Sequence, residues 1–347
     1  MEMIDWVTCK IPFFYAGSLH NGEVISLTKD GEIEYSLCKR LPVVGSHDSR
    51  IMIRSLEFDA AGNTTEIELS GNPVKFLQGH NLFGSSDLLN LMYETILKIS
   101  HNLGAIQPSN VLGQIQSGYY TLSRVDINRM YSLGNRAQVL SYINVLASNS
   151  RTKAQSSVMK GQTVYLNYAS KRWSFKMYSK GQEIALPRNN KHGGFIMPPE
   201  LVKWADNKLR IELTLKSKEL IETGLNLASK WRIIEELDIF TDYSDRIQMA
   251  PQKKIDNLTE TIKLASVRST YVHWLNGEDP RLLLSRPTFY RHRKTLLDHG
   301  VDISILNSKK SENLNVVPLC KVLELKPAEF PHWVSGTEFL FEPRKFC

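Results

Sequence analysis

At 347 residues the chain is longer than one typical domain, and a hydrophobic content of 42% supports a buried core, so two domains are expected. A formal charge of +7 points to a polyanionic partner, either nucleic acid or an anionic membrane surface. Cys9, Cys38, Cys320 and Cys347 share no C-x-x-C spacing, which argues against a zinc ribbon or a secreted disulfide framework. No run approaches the roughly 18 apolar residues of a membrane span. The start, MEMIDWVTCKIPFF, lacks a basic segment followed by an apolar core, so neither export nor insertion is expected, and a cytoplasmic location fits.

Taken in order, positions 4 to 70 alternate in short runs (Glu23 to Leu27, Glu32 to Leu37, Arg50 to Phe58, Glu66 to Leu69). Turn signals at Asn21-Gly22, Asp30-Gly31 and Gly62-Asn63 punctuate them, giving an antiparallel meander. Val74 to His80 reads as a further strand with Pro73 at its entrance, placing Gln78 and His80 on one face. There Gly79 leaves room for a close approach. Ser85 or Ser86 followed by Asp87 caps an amphipathic helix from Leu88 to Leu103, which Gly104 ends. Tyr119 to Arg129 is a strand with Arg124 and Asp126 sharing a face, and a helix spans Asn135 to Ala147. The polar segment from Ser148 to Gln162 carries Arg151, Lys153 and Lys160, a solvated loop or a clamp on a DNA backbone.

Thr163 to Ile184 reads as a two-stranded hairpin. Alternation places Trp173, Phe175 and Met177 on its packed face and Lys176, Tyr178 and Lys180 on the polar one. A phenol beside two ammonium groups loses its proton more easily, and a phenolate can attack phosphorus. The bland reading is an amphipathic hairpin with a half-buried tyrosine; Tyr165 and Tyr168, on the other strand, are rival nucleophiles. Leu186 to Pro199 is a connection rich in Pro, Gly and Asn, and Pro198-Pro199-Glu200 starts a short helix. Lys208 to Lys216 alternates cleanly, with Arg210 and Glu212 on the polar face.

Beyond Ser217 the pattern turns helical, so the expected division is 1–217 and 218–347. Pro287 starts and Gly300 ends a helix; between Arg281 and Gly300 lie five Arg or Lys and one Asp. With the Leu282-Leu283-Leu284 run before it, this segment suits the second helix of a helix-turn-helix that offers Thr288, Tyr290, Arg291 and Arg293 to DNA. Asn315 to Leu325 returns to short strands.

Four stretches carry a family resemblance: Val74-Lys75-Phe76-Leu77-Gln78-Gly79-His80-Asn81-Leu82-Phe83-Gly84, Ser123 to Ile127, Lys176 to Gly181, and Leu209 to Lys216. In that order they resemble the gene II replication initiators of filamentous phages, closely over positions 70 to 220 and more thinly to Asn315-Val316-Val317-Pro318-Leu319. The resemblance implies an α+β fold: an antiparallel-sheet nuclease domain of the rolling-circle-initiator kind with helices, then a smaller, mostly helical DNA-binding domain. It also implies that the protein nicks and rejoins one strand of double-stranded circular origin DNA, handles the displaced single strand, and works with a host replicative helicase, with an oligomer on DNA possible.

On this resemblance Tyr178, in the family's Y-x-K position, is the nucleophile, giving a 5′-phosphotyrosine and a free 3′-hydroxyl, and Lys180 offsets phosphate charge. Asp126 and Glu212 hold Mg²⁺ or Mn²⁺, which prefer oxygen ligands. His80 is a third ligand, a phosphate contact or a structural histidine, since Gln78 stands where related initiators have a second histidine. Gln78, Arg124, Arg210, Lys176, Arg291 and Arg293 are candidate DNA contacts. Two other classes remain open, a non-catalytic origin-binding protein and a metal-dependent nuclease using activated water. Met249 is the last methionine and the candidate start of a separate short C-terminal product.

Overall fold

The computed structural model describes residues 2–152, 156–186, 196–234, 236–249, 262–298, 301, 303, 327–337 and 339–341. The fold is α+β. Its strands are β1 (Glu2–Tyr15), β2 (Glu23–Leu27), β3 (Ile33–Cys38), β4 (Leu41–Val44), β5 (Arg50–Phe58), β6 (Thr64–Gly71), β7 (Thr121–Ser132), β8 (Ser150–Arg151), β9 (Val158–Lys160), β10 (Thr163–Leu166), β11 (Trp173–Ser179), β12 (Lys208–Lys216) and β13 (Gln248–Met249). Nine of them form one antiparallel sheet in the order β4-β5-β6-β1-β7-β12-β11-β10-β9. The meander is present as expected, with β2 and β3 standing off as a separate hairpin.

One sheet face is apolar because alternate residues of the central strands are: Val7, Cys9 and Ile11 of β1, Val125 and Ile127 of β7, and Leu209, Leu213 and Leu215 of β12 are all fully buried. Helices α2 (Leu88–Leu103), α3 (Ser109–Gln116), α4 (Arg136–Asn149), α7 (Ser217–Thr223) and α8 (Glu236–Ser244) contribute to the same core, which runs on past position 217 to Tyr243. Helix α2 follows its sequence signals: the Asp87 carboxylate accepts from Asn90 N, and Gly104 closes the helix at φ 64°.

The stretch Val74 to His80 is where the structure departs from the expected strand. It is a helix, α1 (Pro73–Gln78), because Asn72 accepts from Lys75 N as N-cap, Pro73 takes the first turn, and Gly79 ends it in the left-handed region at φ 89°. What approaches Gly79 is the protein itself: a Cβ there would lie 2.5 Å from the His47 ring. The polar hairpin strand is also shorter than alternation suggests. Ser179 accepts from Gln182 N and turns the chain into α5 (Lys180–Ala185). Lys180 is therefore a helix residue, not the third polar residue of β11.

A second, smaller core gathers Ile262, Val267, Tyr271, Phe289, Leu296, Val301 and Ile303 around the helices Ala265–Leu275 and Arg286–Asp298. Leu282 and Leu283 belong to a single turn, Pro280–Leu283, and the long helix packed on Arg286–Asp298 is Ala265–Leu275. The expected strands at 315–325 and the helix end at Gly300 lie outside the described residues. Pro327 and Ala328 return to the sheet, Ala328 N donating to Met130 O at 2.7 Å, and Phe330 and Val334 pack with Phe83, Leu201 and Trp204 of α6 (Pro199–Ala205).

Asn72 also donates through Nδ2 to Asp5 at 2.8 Å, so it serves helix and sheet together. Asn72→Ala is expected to destabilise by roughly 2–4 kcal/mol, a lost cap plus a lost buried hydrogen bond. Asn72→Asp keeps the cap but sets a second carboxylate against Asp5, and urea unfolding should show it no more stable than the alanine variant.

Candidate active site

The opposite face of the sheet is polar, and strand register decides which groups share it. Tyr178 lies opposite Arg210, Lys176 opposite Glu212, Glu212 opposite Asn128, and Thr214 opposite Asp126, across β11, β12 and β7. Directly opposed residues point to the same side, so three strands distant in sequence deliver Tyr178, Lys176, Arg210, Glu212, Asn128 and Asp126 to one surface. On β1 the pairing shifts between Ile4 and Trp6, so that Trp6 opposes Asp126. Such a bulge re-aims side chains, and it turns both Asp5 and Trp6 toward this face.

Arg210 sits at the bottom with no exposed surface. Its Nη2 donates to Asp5 Oδ1 at 2.8 Å and its Nη1 to the Asn81 carbonyl at 2.7 Å, while Nε lies 3.3 Å from Glu212 Oε1. The same Asp5 oxygen accepts from Asn72 and from Asn81 Nδ2, each at 2.8 Å. Burial pushes the Asp5 carboxyl up, but Arg210, Lys180 and the two asparagines outweigh it and hold it below the ordinary value. Asn81 Oδ1 accepts from Lys180 Nζ at 2.9 Å, and Lys180 also reaches Glu183 at 2.8 Å. Burial, joined by the Arg210 charge, brings the Lys180 ammonium down to about 8.

Glu212 holds the catalytic candidate. Tyr178 Oη donates to Glu212 Oε1 at 2.5 Å, and Lys176 Nζ donates to Oε2 at 2.7 Å while lying 4.8 Å from the Tyr178 ring centre. The expectation that cations ease the phenol's ionisation is reversed here: burial and then the Glu212 charge raise Tyr178 well above its ordinary value, and Arg210 offsets only part of that. Lys180 is not among the main groups that perturb it, because the chain has already turned into α5. Asp126 is gripped by Arg124 through two hydrogen bonds of 2.8 and 2.6 Å, and Arg124 lies over Trp6 at 5.3 Å. Burial nonetheless pushes the Asp126 carboxyl up to about 6; Arg124 opposes this, and the Glu212 and Asp5 charges add to it. The three acids thus share one electrostatic neighbourhood.

Gln78 and His80 do not join them. Gln78 is buried, donating to the His80 and Phe83 carbonyls and accepting from Phe341 N at 2.7 Å. His80 Nδ1 accepts from Leu82 N at 3.3 Å, and the ring hydrogen-bonds with the Phe339 backbone. Burial, then the Lys180 charge, drops the imidazole to about 4, so it is neutral. Gln78 and Arg210, expected as DNA contacts, are spent on protein groups and offer almost no surface to a polymer. Arg124 and Lys176 are the exposed cations of the set, with side chains 43% and 40% accessible. Arg291 is exposed on the helix Arg286–Asp298, whose other face, with Phe289 and Leu296, packs into the second core.

Sequence reasoning missed Asp5, Asn81 and Asn128. The first had a signal, an acid inside the apolar run Met3-Ile4-Asp5-Trp6-Val7; the others had none beyond lying in stretches already noted. Among the described residues no three His, Cys, Asp or Glu side chains form a ready metal cage. The buried Asn128 Oδ1, beside Glu212 and two residues from Asp126, has no hydrogen-bond partner. With the two carboxylates it makes an all-oxygen donor set that suits a hard divalent ion.

Fold and face together define an α+β protein whose antiparallel sheet carries a tyrosine, acids and exposed cations on one side. Two family models match it, those of the N-terminal and C-terminal parts of the phage gene II replication-associated protein, over residues 3–234 and 249–338 respectively. The replication-associated protein of Enterobacteria phage I2-2 is 38% identical over 341 residues, 95% of each chain, and that of Enterobacteria phage M13 is 23% identical over 322 residues, 78% of this chain and 77% of its own. The chain belongs to this phage replication-associated protein family. A solved rolling-circle replication initiator from Geobacillus stearothermophilus overlays 78% of this chain and 94% of its own at 11% identity and a TM-score of 0.34.

The two buried acids should behave oppositely. Asp5→Asn leaves a buried guanidinium short of its counter-charge and is expected to lose roughly 3–5 kcal/mol. Asp126, pushed up to about 6, binds its proton more tightly folded than unfolded. Its stabilising contribution is full below about pH 4 and is lost as pH rises through about 6. Asp126→Asn should therefore raise stability at pH 7, by an amount on the order of 3 kcal/mol. Thermal unfolding at pH 7 checks both; a stability loss in Asp126→Asn contradicts the sign.

Proposed function

We propose that this protein nicks one strand of phage origin DNA and later rejoins it, with Tyr178 as the nucleophile. The observation that carries this reading is the 2.5 Å hydrogen bond from Tyr178 Oη to Glu212, on a face where Lys176 and Arg124 are open to solvent. Glu212 takes the phenol proton as Oη attacks phosphorus. The bond from phosphorus to the 3′ oxygen breaks, that oxygen takes a proton from solvent to become a 3′-hydroxyl, and the 5′-phosphate stays on Tyr178. The phosphoester energy is kept in the covalent link, so attack by a 3′-hydroxyl reverses the step and needs no ATP. Lys176, rather than the buried Lys180, meets the phosphate; Lys180 positions the site through Asn81.

Asp126, Glu212 and Asn128 would hold Mg²⁺ or Mn²⁺, which withdraws charge from a nonbridging phosphate oxygen. Arg124 and Lys176 neutralise these acids in its stead, and in this reading both are released to the DNA backbone. His80 shapes the loop under the site. Arg291, with Tyr290 beside it, gives the second helical unit a DNA-contacting surface, and Arg293 lies on the same helix.

A second reading gives Tyr168 the nucleophile's role: it is exposed, and Lys160 pulls its phenol below the ordinary value. A supercoiled circle carrying the origin, incubated with protein and Mg²⁺, separates the two. Tyr178→Phe is expected to lose nicking by at least about a thousandfold with origin binding retained, and Tyr168→Phe to keep it. Full nicking by Tyr178→Phe removes the assignment.

A further inference from the structure

Beside the acids, at the β9–β10 edge, lies a group that the Tyr178 scheme does not use. Tyr165 is directly opposite Lys176, so it stands on the polar face one strand from the Lys176–Glu212 pair. Its ring meets that of Tyr168 edge-on, with centroids 5.2 Å apart and planes at 75°. Lys160 Nζ lies 3.6 Å from the centre of the Tyr168 ring. Lys216, on the same face of β12, is anchored to the Ser170 carbonyl at 2.5 Å in the turn that carries Tyr168, and its charge reaches the Tyr168 phenol. Asn167 bends that turn with φ 57°, and Tyr168 keeps 45% of its surface exposed.

The pair leaves one ring open to solvent at the edge of the sheet, packed against Tyr165 and Lys160. Flat rings interleaved with ammonium groups, continuous with a phosphate-handling face, match the two needs of an unpaired strand: π-surfaces for bases and cations for the backbone. A duplex keeps its bases stacked on one another and gains nothing from rings here.

We propose that Tyr165 and Tyr168, with Lys160 and Lys216, form a platform on which the unpaired bases next to the scissile phosphate stack. This rests on the reading of the polar face as the DNA-nicking site. The geometry orders the strand: bases on the β10 side, the phosphate over Lys176 and Glu212, and the chain continuing toward Arg124 and Trp6.

The test measures anisotropy of a short fluorescent oligothymidylate, its abasic counterpart with the same phosphates, and a duplex, in EDTA with the full chain. Tyr165→Ala with Tyr168→Ala is expected to weaken oligothymidylate binding about tenfold or more, to leave abasic and duplex binding unchanged, and to be rescued by phenylalanine at both positions. Unchanged oligothymidylate binding, or an equal loss on the abasic strand, overturns the platform. In either case wild-type nicking of the origin circle still stands or falls by itself, so failure of the platform is told apart from failure of the nicking reading.

Discussion

Arg210 carries a charge with no access to water, and much of the molecule is arranged to neutralise it. A buried guanidinium is tolerated only if its donors meet acceptors and its charge meets an acid. Those come from three places in the chain: Asp5 from the bulge in β1, the Asn81 carbonyl from the loop after α1, and Glu212 two residues along its own strand. Satisfying Arg210 therefore fixes where β1 and the 79–83 loop sit against β12. Asn81 passes the constraint on to Lys180 and so to the start of α5.

That arrangement sets the chemistry above it. Glu212 meets both Arg210 and Tyr178 through Oε1 and Lys176 through Oε2, so the phenol is held beside a carboxylate rather than beside free ammonium groups. The resting protein is guarded: Tyr178 is buried and strongly protonated, Asp126 is bound by Arg124, and Glu212 is covered by Lys176. In the proposed scheme DNA and a divalent cation would supply the charges that those two cations supply to the acids at rest. Catalysis in that scheme begins by exchanging internal ion pairs for substrate ones.

Much of this was legible in the sequence, and the failures have physical causes. The α2 caps, the β10–β11 hairpin and β12 follow from period and capping residues alone. The run Val74 to Gln78 is apolar and short, and periodicity cannot separate helix from strand at that length; the deciding marks were Asn72, Pro73 and Gly79 around it. Alternation through Lys180 looked continuous, yet Ser179 with Gln182 three residues later is a helix-start signature. The bulge that brings Asp5 to the site depends on pairing with β7 and leaves no local trace. The co-location of Tyr178, Glu212 and Asp126 came only from the resemblance, because strand order is not written in any one strand.

The central claim is that the register of three strands makes one reaction centre, with Tyr178 as the residue that takes the phosphate. The most direct measurement is mass spectrometry of proteolysed protein after reaction with a single-stranded origin oligonucleotide and Mn²⁺, locating the nucleotide-bearing peptide. The account predicts a 5′-phosphate on Tyr178 and on no other residue. An adduct on Tyr165 or Tyr168, or cleavage with no adduct at all, would contradict it.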